Sequence, residues 1–363
     1  MDISRLDSNG WLEIVDRLGG GAELSRSARE QGAFVRQRGV RTASDLLRLA
    51  MIYGPGGHSL RVTAGLSALQ GIADISDVAL MNRLAHAAPW LEALCNQRLS
   101  ALAHADGPAS DGKKLALRIV DGSRLEGPGR SCWQLHACYD VVAGRFHDAT
   151  ITPMKQGERL DLLRPKAGEL RIGDRAFPRP QGLANTVKAG AEVLVRMTWK
   201  SLRLLDKMHI PLDWTELFKK AANTDGIDMP VFVSTPRGPF EPLAMRLVIL
   251  PKPAAAALRK VRKNSIKGQH KSIDPRTLTA AGYLILITSL DARDFPAAKL
   301  AALYRLRWQI ELAFKRLKSI LDIDRLPAKD PNLAKAWLYA HLLFALLIDD
   351  VQAELDAFSP STF

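Results

Sequence analysis

The spacing of apolar residues changes once along this chain, at a polar segment between residues 103 and 114. Before that segment, apolar residues recur at helical intervals, for example at Leu46, Leu47 and Leu49. After it, short apolar runs alternate with turn residues, which is typical of strands. The runs up to residue 199 predict three strands, a helix, a strand, a helix and a strand. We therefore predict an α/β fold with mixed strand pairing, preceded by an all-helical region.

The helical region contains one pattern that is relevant to DNA. With 363 residues, the chain is long enough for two or three domains of about 150 residues. Residues 59–84 form two short helical patterns broken at Gly71, and Ser76 and Asp77 can cap the second. This arrangement resembles a helix-turn-helix, although two short helices joined at a glycine are common in helical domains.

Charge and apolar content limit the possible partners. The chain has 51 Lys and Arg against 38 Asp and Glu, a formal net charge of +13. This surplus favours a polyanion, with nucleic acid ahead of an anionic membrane. The N-terminus does not fit a signal peptide, and we expect the apolar residues 336–348 to be a buried helix too short to span a bilayer. Three cysteines favour a reducing cytoplasm.

Residues 296–321 predict one long helix with a basic face. At about 100° per residue, its apolar side chains share one face. The opposite face carries Tyr304, Arg307, Glu311, Lys315 and Lys318. A lone carboxylate among cations can simply form a surface pair with Lys315, which contributes about 0.2–0.5 kcal/mol. The helix alone does not decide between that pair and a functional role.

Two aspartates upstream favour the functional role. Asp121 and Asp174 each follow a predicted strand, in the phrases DGS and GDRAF, although either phrase alone is typical of a turn. Together with Glu311 they can bind two divalent cations about 3.5–4 Å apart, the arrangement used for in-line phosphoryl transfer. Mg²⁺ suits such a set of carboxylates. We therefore predict Asp121, Asp174 and Glu311 as catalytic residues and metal ligands.

The phrase YRLRWQIELAFKRLK resembles the Y-x₂-R-x₃-E-x₆-K signature of bacterial insertion-sequence transposases, the DDE class of insertion-sequence family four. The signature falls on Tyr304, Arg307, Glu311 and Lys318 with every spacing intact. The phrases at Asp121 and Asp174 resemble the first and second acidic motifs of that family. The resemblance covers roughly residues 115–320.

The resemblance implies a ribonuclease-H-like core interrupted by a β-rich insertion and preceded by an all-helical domain. It divides the chain into a helical N-terminal DNA-binding domain (1–105), the first part of the catalytic core (112–199), a β-rich insertion with a basic loop (200–281), and the second part of the core with a C-terminal helix (282–350). It also implies cut-and-paste transposition with two Mg²⁺ per site, for which Mn²⁺ can substitute. The expected partners are the inverted-repeat ends and target DNA, bound by a homodimer in the bacterial cytoplasm at the nucleoid.

Two groups of residues are predicted to bind DNA. The resemblance implies that Tyr304, Arg307 and Lys318 contact the end DNA, and Lys315 lies on the same predicted face. The second group is a basic run without acids, made of Arg259, Lys260, Arg262, Lys263, Lys267 and Lys271. Such a run is usually a solvated loop, but in a cationic protein we interpret it as a patch that follows the DNA backbone.

Two departures from the family pattern leave an alternative open. Ala176 stands where the second acidic motif usually has glycine, and the chain ends soon after Asp350, which is short for the family. The alternative is a catalytically inactive or truncated transposase that acts only as a sequence-specific DNA-binding protein.

Overall fold

Helices form the N-terminal part of the structure, a computed structural model that describes residues 8–105, 115–234, 241–253, 258–259, 261 and 273–358. They are α1 (Ser8–Arg17), α2 (Gly20–Glu30), α3 (Ala43–Tyr53), α4 (Leu60–Leu69) and α5 (Asp77–Ala105). Helix α3 begins with a capping box, in which the side chains of Thr42 and Asp45 accept hydrogen bonds from each other's backbone N–H groups. The chain turns between α4 and α5 at Gly71, whose φ is +67°. The predicted pair of helices is confirmed, and its second member is a long helix.

The long helix α5 packs along the C-terminal helix α11 (Pro331–Phe358). Trp90 and Leu94 of α5 and Leu338 and Leu342 of α11 are at most 1% exposed, within one hydrophobic cluster. Each fully buried leucine stabilises the fold by about 1.5–3 kcal/mol. This shared core fixes the N-terminal helices to the C-terminal part of the chain.

Helix α11 is longer than the sequence suggested. Its segment Pro331–Gln352 is long and apolar enough to cross a membrane by length and composition, so the prediction that this helix is too short to do so was wrong. The predicted burial is confirmed, because 78% of its apolar window lies inside the protein. Packing in the core therefore accounts for its apolar sequence.

The second half of the chain is dominated by strands. They are β1 (Ala116–Glu126), β2 (Cys132–Asp140), β3 (Arg145–Pro153), β4 (Glu169–Gly173), β5 (Glu192–Arg196), β6 (Leu204–Leu205), β7 (Ile227–Val233), β8 (Leu243–Pro251) and β9 (Tyr283–Thr288). Within the described residues these nine strands form one sheet, in the order β3-β2-β1-β4-β5-β9-β8-β7-β6. Strands β1, β4 and β5 are parallel, and the other neighbours are antiparallel. The predicted mixed α/β fold is confirmed, and strands β6–β8, from the segment predicted as an insertion, extend the same sheet.

Helices cover both faces of this sheet. Successive strand residues point to opposite faces, and accordingly Ile119 packs in the cluster that contains α5 and α11, whereas Val120 packs in a second cluster. The second cluster includes residues of α6 (Pro180–Lys188) and α7 (Trp214–Asn223). A short helix, α8 (Pro275–Ala280), precedes β9. The central strands are therefore buried on both sides, and chemistry is confined to their ends.

Two local predictions near the acidic residues were wrong. Strand β1 does not end at Asp121, because its pairing with β2 continues to Glu126 opposite Cys132. Residues 157–165, predicted as a short helix, form turns instead. Leu160 and Leu163 are buried there, and their spacing fits inward-facing turns as well as a helix.

The predicted long helix is also broken in two. Helix α9 (Ala297–Arg305) ends before α10 (Trp308–Leu321) begins. At the junction the N–H of Arg307 donates to the carbonyl of Tyr304, and the N–H of Gln309 donates to the carbonyl of Leu306. Bonds between residues three apart wind the backbone at 3.0 residues per turn. The angles of a continuous helix therefore do not relate Tyr304 to Glu311.

Candidate active site

Asp121 and Asp174 meet at one edge of the sheet because of strand register. Strands β1 and β4 pair in parallel up to Ile119 opposite Ile172. Two further residues in this register place Asp121 beside Asp174, on strands about 4.8 Å apart. Asp174 directly follows β4, as predicted. Asp121 lies within β1 but beyond the part that β4 covers, so the sequence correctly predicted that the two aspartates share an edge.

The environment of Asp121 disfavours its negative charge. Its side chain is 16% exposed, and its Oδ1 accepts a hydrogen bond of 2.8 Å from the N–H of Gly122. Burial, with the nearby negative charges of Asp174 and Glu158, raises the pKa of Asp121 to about 7. A carboxylate in these surroundings is stabilised by an additional cation.

Arg307 links Asp121 to Glu311. Its Nη1 lies 3.5 Å from Asp121 Oδ2, and its Nη2 donates to Glu311 Oε1 at 2.5 Å. Arg307 precedes α10, and Glu311 lies in the first turn of that helix. The break between α9 and α10 therefore sets the position of both side chains. Glu311 is 55% exposed, so it lies at the solvent side of the site.

The two lysines of the signature helix line the same surface depression as Asp121 and Glu311. Lys315 is exposed, and Lys318 donates from Nζ to the carbonyl of Arg124 at 3.1 Å. Lys318 is thereby held against the end of β1. The depression combines two carboxylates with two cations on one open surface.

Tyr304 lies on the other side of Asp174 and contacts a residue that the sequence did not point to. Arg196, the last residue of β5, forms a side-chain hydrogen bond with the Tyr304 hydroxyl. In the parallel register of β4 and β5, Gly173 lies opposite Val195, which places Arg196 beside Asp174. An arginine at the end of an apolar strand, EVLVR, is the signal that could have identified it.

Glu158 is a second residue that the sequence analysis missed. It lies in the turns of residues 157–165, and its charge acts on Asp121 and is itself affected by Asp174. The helix predicted for this segment drew attention away from it. A usable signal was Gly122, because a glycine within a strand often marks the close approach of another group.

The structure describes only part of the basic run. Arg259 is exposed. Lys260, Arg262, Lys263, Lys267 and Lys271 lie outside the described residues. The role of this run in binding DNA therefore stays a prediction.

The site contains the donors that a divalent cation needs. Asp121, Asp174, Glu158 and Glu311 supply carboxylate oxygens, the ligands that Mg²⁺ prefers. In the described part of the chain, no three acidic, histidine or cysteine side chains already converge on one point. The donor chemistry and the crowding of negative charge at Asp121 fit a cation, whose binding has to draw the side chains together.

Comparison with known proteins gives a family match and several relatives. Residues 112–348 match the model of the transposase DDE domain. The chain is 40% identical, over 96% of its length and 95% of the relative's, to the putative transposase InsL for insertion sequence element IS186A of Escherichia coli (strain K12). Its identity to the transposase for insertion sequence element IS421 of Escherichia coli is also 40%, over the same shares.

A more distant relative agrees with this assignment. The transposase for insertion sequence element IS231F of Bacillus thuringiensis subsp. israelensis is 25% identical over 58% of this chain and 48% of its own. The matched domain contains the Asp121–Asp174 edge, the Arg307 link and Glu311. The chain therefore belongs to the DDE transposases of bacterial insertion sequences, in insertion-sequence family four, which cleave and join DNA strands in transposition.

Proposed function

We propose that this chain excises its own insertion sequence by cut and paste, with Asp121, Asp174 and Glu311 as the catalytic metal ligands. The observation that carries the proposal is the parallel register that aligns Asp121 with Asp174. Arg307 adds a direct link from Asp121 to Glu311. The three predicted acids thus lie around one open depression at the edge of the sheet.

The topology supports a ribonuclease-H-like core for this chemistry. Five strands in the order β3-β2-β1-β4-β5 precede the segment 200–281, with the second acid directly after the fourth strand. Strands β6–β8 then form the proposed insertion, before β9 and the helix that carries Glu311. The helices of residues 8–105 form the proposed DNA-binding domain. The four boundaries given above remain our proposal for how these parts divide the chain.

The protein's own residues have distinct tasks in this mechanism. When bound by the carboxylates, divalent cations, which we propose to be two Mg²⁺ with Mn²⁺ as a substitute, activate water and stabilise the attacking and leaving oxygens. Asp121 and Asp174 hold their carboxylates at the fixed sheet edge. Glu311 completes the set from α10, whose position depends on the tight turn at Arg307.

DNA is proposed to lie along the depression between the acids and the lysines. Arg307, Lys315 and Lys318 offer charged donors to phosphates, and Tyr304 offers its hydroxyl. Arg259 and the neighbouring cations of the basic run would follow the DNA backbone further away. We also propose that a homodimer binds the paired inverted-repeat ends and the target DNA, in the bacterial cytoplasm at the nucleoid.

A cleavage assay with isosteric variants tests this function. Asp121→Asn, Asp174→Asn and Glu311→Gln are expected to abolish Mg²⁺-dependent cleavage of a duplex that carries the element's inverted repeat. Each should still retard that duplex in a gel, since the DNA-binding residues are unchanged. Cleavage by any one variant at the wild-type rate would remove that residue from the site. Specific binding without cleavage by the wild type would favour the binding-only alternative.

A further inference from the structure

The space beside Gly122 in β1 is filled by two side chains from elsewhere. A Cβ placed on Gly122 would lie 2.3 Å from Glu158 Oε1 and 2.5 Å from Gln134 Nε2. No side chain can be accommodated at such distances without moving both groups. The glycine next to Asp121 thus allows the carboxylate of Glu158 to reach the backbone of the strand.

Gln134 fixes the orientation of this carboxylate. It lies on β2, is 6% exposed, and donates from Nε2 to Glu158 Oε1 at 2.5 Å. A neutral amide leaves the charge of the carboxylate in place. The bond therefore orients Glu158 without neutralising it, and it engages Oε1 rather than Oε2.

The charge of Glu158 belongs to the same group as those of the two aspartates. Burial, and then the negative charge of Asp174, raises the pKa of Glu158. Glu158 in turn raises the pKa of Asp121. Arg179 is the cation that opposes the effect at Glu158. Three partly buried carboxylates at one sheet edge are unfavourable unless a cation offsets their repulsion.

We propose that Glu158 is a fourth carboxylate of the metal centre, which binds a divalent cation together with Asp121 and Asp174 while Gln134 fixes its orientation. This inference rests on the proposed function, because it assigns a further ligand to the same centre. The competing explanation is that the Gln134–Glu158 bond only anchors the turns of residues 157–165 to the sheet.

Binding of Mn²⁺ to the full chain, followed by electron paramagnetic resonance of the free ion, separates the two explanations without any cleavage reaction. Glu158→Gln keeps the shape of the side chain and should weaken Mn²⁺ binding at least tenfold. The matched control is Glu216→Gln, an exposed glutamate on α7, which should bind Mn²⁺ like the wild type. Melting temperatures in EDTA check that each variant is folded.

Two further variants test the position of the carboxylate. Gly122→Ala should weaken Mn²⁺ binding because its methyl group displaces Glu158. Glu158→Asp keeps the charge but shortens the side chain, and it should not restore full affinity. Full restoration by aspartate, or wild-type affinity in Gly122→Ala, would overturn the assignment of Glu158 as a ligand.

The outcome also separates this inference from the proposed function. If Glu158→Gln binds Mn²⁺ normally while Asp174→Asn does not, the inference fails and the proposed centre stands. If neither variant loses affinity, the proposed centre itself is contradicted. Loss of affinity in both variants, with Glu216→Gln unaffected, supports both.

Discussion

Removing the charge of Asp121 should stabilise the metal-free protein. Asp121 is largely buried, and its pKa of about 7 shows that its charged form is unfavourable in the fold. Asp121→Asn keeps the shape of the side chain and removes that charge. The variant is therefore expected to exchange catalytic capacity for stability, as is common at active sites.

The size and pH dependence of the effect follow from the two pKa values of Asp121. An aspartate has a pKa of about 3.9 in an unfolded chain, so the folded state binds the proton more tightly. The free energy of unfolding of the wild type should then fall between about pH 4 and pH 7 and stay lower above pH 7. A difference of about three pKa units corresponds to about 4 kcal/mol, or about 5 °C in melting temperature for a chain of this length.

Thermal unfolding in EDTA at pH 5 and pH 8.5 measures this effect. Asp121→Asn should melt above the wild type at pH 8.5, and the gap should shrink at pH 5. With Mg²⁺ in excess the order should reverse, because only the wild type gains stability from binding. Asp16→Asn, at an exposed position on α1, is the control and should show no such dependence. A variant less stable than the wild type at pH 8.5 would refute the reasoning.

Three other predictions concern DNA binding and the core. Arg307→Ala should weaken binding to the end duplex about tenfold or more, since hydrogen bonds to charged groups contribute about 1.5–3 kcal/mol, and Arg307→Lys should restore only part of it; equal gel-shift affinities would contradict this. Replacing Lys263 and Lys267 by alanine should lower the slope of log K against log salt by about 0.9 for each phosphate that the protein no longer neutralises; an unchanged slope would mean that this run does not touch DNA. Leu342→Ala should cost about 2–5 kcal/mol in urea unfolding, whereas Leu355→Ala, 65% exposed, should stay within about 0.5 kcal/mol; equal costs would contradict the packing of α11.

The fold class could be predicted because hydrophobic spacing reports burial directly. The hairpin of β2 and β3, the strand before Asp174 and the buried C-terminal helix all follow from local patterns. The joining of β6–β8 to β9 could not be predicted in this way, since it depends on pairing between distant segments. The break at Arg307 was missed because a tight turn between two helices leaves the apolar spacing nearly unchanged.

The site was predictable where chemistry and spacing coincide. Asp121, Asp174 and Glu311 were identified from motifs, and the register of β1 and β4 explains why two of them share an edge. Arg196 and Glu158 approach the site from β5 and from the turns before β4, so their proximity is a tertiary property. Only the glycine after Asp121 gave a local sign that another side chain comes close.

The central claim is that Asp121, Asp174 and Glu311 bind the metal ions that drive strand cleavage. The most direct test replaces each acid by cysteine, because a thiolate is a softer ligand than a carboxylate and changes the preference between metals. Nicking of a labelled inverted-repeat duplex would be measured with Mg²⁺ and with Mn²⁺. We expect each cysteine variant to be inactive with Mg²⁺ and to regain part of its activity with Mn²⁺. Nicking at the wild-type rate with Mg²⁺ by any of the three variants would contradict the claim.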